Sequence, residues 1–180
     1  KLRGDNPNVD FNGLNRMGDD GSGNGLTFDS GFEADYWIGV TVGGANPDLF
    51  ANYSELLTGG GGSGYYLGQG TVVSGGALSG GTNPNGILLT LDNHNVAGVN
   101  SGCDAASGLG IATGWELAVP LAALGSPTGC WRICALVNGG GHDFLSNQVL
   151  GPLLPSQCNL GEPRAVNFNV EIASPARLPR

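Results

Sequence analysis

The chain has 180 residues and a net charge of −8, with 40% hydrophobic and only 12% charged residues. This size fits one domain with a buried core, and the apolar content excludes a disordered acidic tail. Seven scattered basic residues on an acidic chain exclude a phosphate-backbone partner, and nothing in the composition reads as a membrane span.

Glycine fills 34 positions, often in runs such as 59–62 and 139–141 that separate short apolar segments. Glycine supplies the positive-φ conformations of tight turns, so this punctuation predicts strands joined by turns.

Residues 1–14 read as an N-terminal extension, followed by one domain over 15–174 and a tail over 175–180. Within the extension Val9 and Phe11 alternate with Asp10 and Asn12, so both face one way in an extended strand able to pair with a sheet edge, of the same chain or a neighbour. Arg3-Gly4-Asp5 spells an adhesion tripeptide in what is expected to be a mobile terminus; three residues match too often by chance to carry a function.

Asp20-Gly21-Ser22-Gly23-Asn24-Gly25 places oxygen side chains at alternate positions with glycine at the sixth, as a calcium loop does, and Asp19 and Asp29 could add ligands. The twelfth position, where such a loop has a bidentate Glu, is Gly31, so a plain solvated turn is the favoured reading.

Strands are predicted over 36–42, with Tyr36, Ile38, Val40 and Val42 on one face, over 65–73 as one or two segments, and over 87–91, 115–119, 131–137 and 166–172; 49–57 is ambiguous. The last of these has the cleanest alternation, with Val166, Phe168, Val170 and Ile172 on one face. Asn83-Pro84-Asn85-Gly86 is a turn, and Pro120 to Gly125 is the one helical turn expected, opened by proline and closed by glycine. The predicted fold is all-β, an antiparallel β-sandwich or jelly roll with one short helical turn near 120–125.

Trp115 and Trp131 are expected in the core, whereas Trp37, opposite the apolar face of its strand, is the better exposed ring and forms with Tyr65 and Tyr66 the only material for stacking on a sugar. Asn52-Tyr53-Ser54 is a glycosylation sequon, meaningful only where the glycosylation machinery exists.

The four cysteines, Cys103, Cys130, Cys134 and Cys158, lack paired zinc spacing and favour disulfides. Cys130 and Cys134 on one strand would lie roughly 13 Å apart, beyond bridging distance. Each is therefore expected to pair with Cys103 or Cys158, or with another chain. The sole lysine, Lys1, and a first residue other than Met fit an exported, mature chain.

No nucleophile or metalloprotease motif accompanies His94 or His142, which sit in turn sequences, and Glu116 and Glu171 fall on the polar faces of their strands, so no catalytic function is expected.

Three segments carry a resemblance: Gly25-Leu26-Thr27-Phe28-Asp29-Ser30-Gly31-Phe32-Glu33-Ala34-Asp35, then 113–125 with its Trp115-Glu116-Leu117-Ala118-Val119-Pro120-Leu121 step, and 138–151 with Leu145-Ser146-Asn147-Gln148. Together they resemble Gly-rich secreted β-sandwich surface proteins of environmental bacteria, exported with a sorting tail, and more distantly sandwiches of the DOMON and family 9 carbohydrate-binding type. The resemblance implies a secreted or cell-surface protein. A low-charge, Gly/Asn-rich surface with a single lysine leaves sheet edges open to copies of the same chain, a polysaccharide being the alternative partner, and calcium at the Asp20–Gly25 loop is the one cofactor to consider.

Overall fold

The structure is a computed structural model that describes residues 1–4, 12–19, 21–43, 48–71, 75–92, 114–150 and 158–171. It is all-β in character: nine strands pair antiparallel in three sheets, with very little helix among the described residues.

The first sheet contains β1 (Tyr36–Gly43), β2 (Asp48–Glu55), β3 (Gly64–Thr71) and the two-residue β4 (Ser79–Gly80), paired in chain order. Pairing of β1 with β2 runs without interruption from Tyr36↔Glu55 to Gly43↔Asp48. A bulge at Ala51/Asn52 bends only the β2–β3 pairing. The second sheet pairs β5 (Leu88–Asp92) with β6 (Gly114–Ala118). The third orders β7 (Leu136–Asn138), β8 (Leu145–Val149) and β9 (Asn159–Gly161). Every pairing joins strands consecutive in sequence, so the crossover that distinguishes a jelly roll is not among the described residues.

Two apolar clusters hold these sheets, a first around Leu2, Leu145 and Phe168 and a second around Leu49, Leu67 and Leu89. One face of the first sheet contributes Leu49, Ala51, Tyr53 and Leu67, and packs with Ile87 and Leu89 of the second. The alternation of β1 is realised here, because Tyr36, Ile38 and Val40 all lie against this cluster. Ala123 closes its end from a 3-10 turn, Leu121–Leu124, that Pro120 precedes and left-handed Gly125 (φ 68°) terminates. Asn83 builds the expected turn with its side chain, which donates to the Ile87 carbonyl (2.8 Å) and accepts from the Ile87 amide (2.9 Å).

The other cluster draws Leu2, Leu14, Met17, Leu26, Leu56, Leu145, Val166 and Phe168 from both ends of the chain. Helix α1 (Asn12–Met17) was not predicted: Asn and Gly are poor helix formers, and the helix exists because Leu14 and Met17, three apart, bury one face. The expected mobile terminus is also corrected. Leu2 is fully buried, its amide donates to the Leu26 carbonyl (2.8 Å), and its carbonyl accepts from the Asp19 amide (2.7 Å).

Two predicted strands dissolve. The strand at 131–137 shrinks to β7, because Ser126 (φ 52°) and Pro127 turn the chain and the pairing with β8 ends where the Leu150 amide reaches the Ala135 carbonyl (2.7 Å). The strand at 166–172 becomes an isolated parallel bridge, Thr27↔Asn167, followed by helix α2 (Phe168–Glu171). The Asn167 side chain accepts from the Asn169 amide (3.0 Å), the capping bond that turns an extended chain into a helix. The alternation is still satisfied at its first two positions, since Val166 and Phe168 are both buried.

Candidate functional site: an uncharged sheet edge

β1 forms an outer edge of the four-stranded sheet, and among the described residues no strand pairs with its open side. An edge strand presents a row of backbone N–H and C=O groups, and proteins that avoid strand addition interrupt such rows with Lys, Pro, bulges or brevity. β1 has none of these. Its eight residues, Tyr-Trp-Ile-Gly-Val-Thr-Val-Gly, include no charge and no proline, and its register is unbroken. At its far end Thr41 and Val42 are exposed, Val42 to 40%.

Trp37 organises the start of this edge in a way opposite to expectation. Its side chain is half-buried and packs against the first cluster, and the ring lies over Gly39, where an added Cβ would sit 2.8 Å from Nε1. Trp115 and Trp131, expected in the core, are instead 42% and 41% exposed. Trp115 pairs opposite Leu91 and Leu117 opposite Leu89, on the face that carries Leu89 into the second cluster, yet all five residues of β6 are exposed. Trp131 is exposed because the strand meant to bury it does not form.

The three residues proposed for sugar stacking are divided. Tyr65 stacks on Tyr53 (6.1 Å between centroids) and packs into the second cluster, Trp37 joins the first, and only Tyr66 remains exposed. A cleft of about 470 Å³ lies elsewhere, lined by Lys1, Arg3, Asp19, Glu33, Asp35 and Leu57 among others. Among the described residues its lining includes no aromatic side chain, and Lys1 lies 4.0 Å from Asp19.

The Asp/Ser/Asn/Gly loop is built as a turn. Asp19 Oδ1 accepts from the amides of Gly21 (2.8 Å) and Gly23 (3.3 Å), and the Ser22 hydroxyl accepts from Asn24 (3.4 Å). The Lys1 ammonium donates to the Gly23 carbonyl, so a positive charge already sits at the loop. The Asp29 backbone carbonyl accepts from the Phe32 amide (2.9 Å), and Asp20 lies outside the described residues. Among the described residues no group of three His, Cys, Asp or Glu side chains is placed to hold a metal ion.

Cys130 and Cys134 are free thiols, which overturns their pairing with Cys103 and Cys158. Their segment is not strand, so the geometry on which that pairing was argued is missing. Cys130 is exposed, while burial beside the first cluster pushes the Cys134 thiol pKa up. Cys158 is disulfide-bonded, and Cys103 lies outside the described residues.

Val9, Phe11 and His94 also lie outside the described residues. His142 (φ 58°) sits in the β7–β8 turn with Nδ1 2.6 Å from Asn138 Nδ2, and Glu116 is exposed on β6. No protein family, characterised protein or solved structure matches the chain, so the geometry alone bears on function.

Sequence reasoning pointed to strand addition but not to the receiving strand. The signal was present: 36–43 is the one long alternating segment with no charge in it.

Proposed function

We propose that the protein is an extracellular, non-catalytic structural subunit that assembles with copies of itself by strand addition at β1. The observation that carries this reading is an eight-residue, unbulged edge strand without charge or proline. Such an edge is a template for main-chain hydrogen bonding, and its alternating side chains set the register of the added strand. Export and an oxidising environment are consistent with the disulfide at Cys158. A polysaccharide-binding role has less support, because its three aromatics do not form one platform.

The experiment is a Val42→Lys variant examined by electron microscopy and thermal melting beside the unaltered protein. The reading expects filaments or sheets from the unaltered protein and dispersed particles of unchanged Tm from the variant. Dispersed monomers from the unaltered protein at high concentration would refute it.

A further inference from the structure

The backbone groups on the open side of β1 can be assigned residue by residue. The Leu56 amide donates to the Asp35 carbonyl (2.8 Å), which makes these two a hydrogen-bonded pair one step before Tyr36↔Glu55. Hydrogen-bonded and non-hydrogen-bonded pairs alternate along an antiparallel ladder. Trp37, Gly39, Thr41 and Gly43 therefore turn their amides and carbonyls to β2, and those of Tyr36, Ile38, Val40 and Val42 face the open edge.

We infer that the strand added at this edge is β1 of a second copy, antiparallel about a two-fold axis between the two Gly39 residues; this rests on the strand-addition reading and names its partner. The pattern of outward groups selects the register. Outward residues bond only outward residues, so Tyr36, Ile38, Val40 and Val42 must face the same set in the second copy. Only with Tyr36 opposite Val42 and Ile38 opposite Val40 are all four satisfied in both copies. That register sets Gly39 opposite Gly39 in a non-hydrogen-bonded pair, where Cα atoms approach to about 4.5 Å. No side chain obstructs the approach, because Gly39 lies beneath its own Trp37 ring, 2.8 Å from Nε1 to where a Cβ would be.

Side chains and charge agree with this occupant. On the face of the second cluster, Val42, which is 40% exposed, gains the Tyr36 ring, and Ile38 meets Val40, both favourable cross-strand pairs. Each copy carries −8, yet β1 holds no charge, and the acid adjoining it, Asp35, comes opposite Gly43 rather than another carboxylate. The other described edges do not match: β4 has two residues, β7 and β9 three each, and β5 and β6 five each with Asp92 and Glu116 among them. A two-fold contact closes on itself, so β1 joins copies in pairs, and larger assemblies are built from these pairs.

The test is made on an equal mixture of isotope-labelled and unlabelled protein, dilute and concentrated, by amide hydrogen exchange and by isotope-filtered NOE spectra that record only contacts between copies. The inference expects the Tyr36, Ile38, Val40 and Val42 amides to gain protection together on concentration, with an Hα–Hα contact between Gly39 of one copy and Gly39 of the other. Protection of those amides without the Gly39 contact would mean that a different strand or register fills the edge, which overturns the inference and leaves strand addition at β1 standing. Association that leaves the four amides unprotected, or protein that stays monomeric at every concentration, would overturn both.

Discussion

A methyl group added to Gly18 would lie 2.4 Å from the Cα of Gly4, closer than any real contact. The backbones of the first residues and of the segment after α1 are pressed together. Leu2 is thereby held in the core, with its amide and carbonyl both hydrogen-bonded.

Gly18→Ala should therefore destabilise the protein by about 1–3 kcal/mol, the usual cost of overpacking. Removing residues 1–4 should cost more than a single Leu→Ala change, which is about 2–5 kcal/mol, because backbone bonds leave with Leu2. Chemical denaturation of both variants measures this. Unchanged stability on truncation would mean that the terminus is only loosely attached.

The Tyr53 hydroxyl donates to the Ala123 carbonyl at 2.6 Å in the buried joint between the first sheet and the 3-10 turn. Tyr53→Phe leaves that carbonyl without its donor and should cost about 1–3 kcal/mol. Desolvation, aided by Tyr36, Glu55 and Tyr65, pushes the Tyr53 pKa up to about 12. A phenol raised in the fold stabilises it while protonated, so this contribution is intact below the unfolded value of about 10 and lost as pH rises toward about 12. Melting between pH 9 and 12 should show a loss of stability that Tyr53→Phe reduces.

Arg16 clasps Glu162 through both guanidinium nitrogens, the Nη1 contact being 2.5 Å, and joins α1 to the 3-10 turn Pro163–Ala165. This bond, with the Arg164 amide, holds the Glu162 pKa below the usual carboxylate value. A lowered carboxylate stabilises the fold above its unfolded pKa and ceases to as pH falls through the folded one. Glu162→Gln should leave a protein whose stability falls less on acidification below about pH 4.3, and the difference should shrink at high salt because the pair is solvent-exposed.

The two free thiols should differ in reactivity. Exposed Cys130 should alkylate readily at pH 8, and Cys134 slowly until the protein is unfolded, since its partial burial disfavours the thiolate. Mass mapping after timed alkylation reads both. Equal rates would contradict the placement of Cys134 beside the core.

Strand β1 was legible because its apolar alternation matches one buried face, and Tyr36, Ile38 and Val40 do what the pattern says, whereas β2 was ambiguous in the sequence and the two-residue β4 was not foreseen. The turn at Asn83 and the 3-10 turn after Pro120 were legible because their chemistry is local. The misreadings share a different cause. Alternation at 131–137 and 166–172 was real, but whether alternating residues form a strand depends on a neighbour to pair with, and a capping side chain such as that of Asn167 can end extension within one residue. The tryptophans were assigned by strand face, yet Trp115, opposite Leu91, is exposed together with the whole of β6. The β1 edge was hidden for the same reason: position within a sheet is a tertiary fact.

Concentration-dependent hydrogen exchange over Tyr36–Gly43 tests strand addition at β1 most directly. In an antiparallel edge strand alternate amides bond β2 and the others point outward. The account predicts that the outward amides exchange fast in dilute protein and become protected on assembly, while the inward ones are protected throughout. Assemblies in which the outward amides of β1 still exchange fast would contradict it.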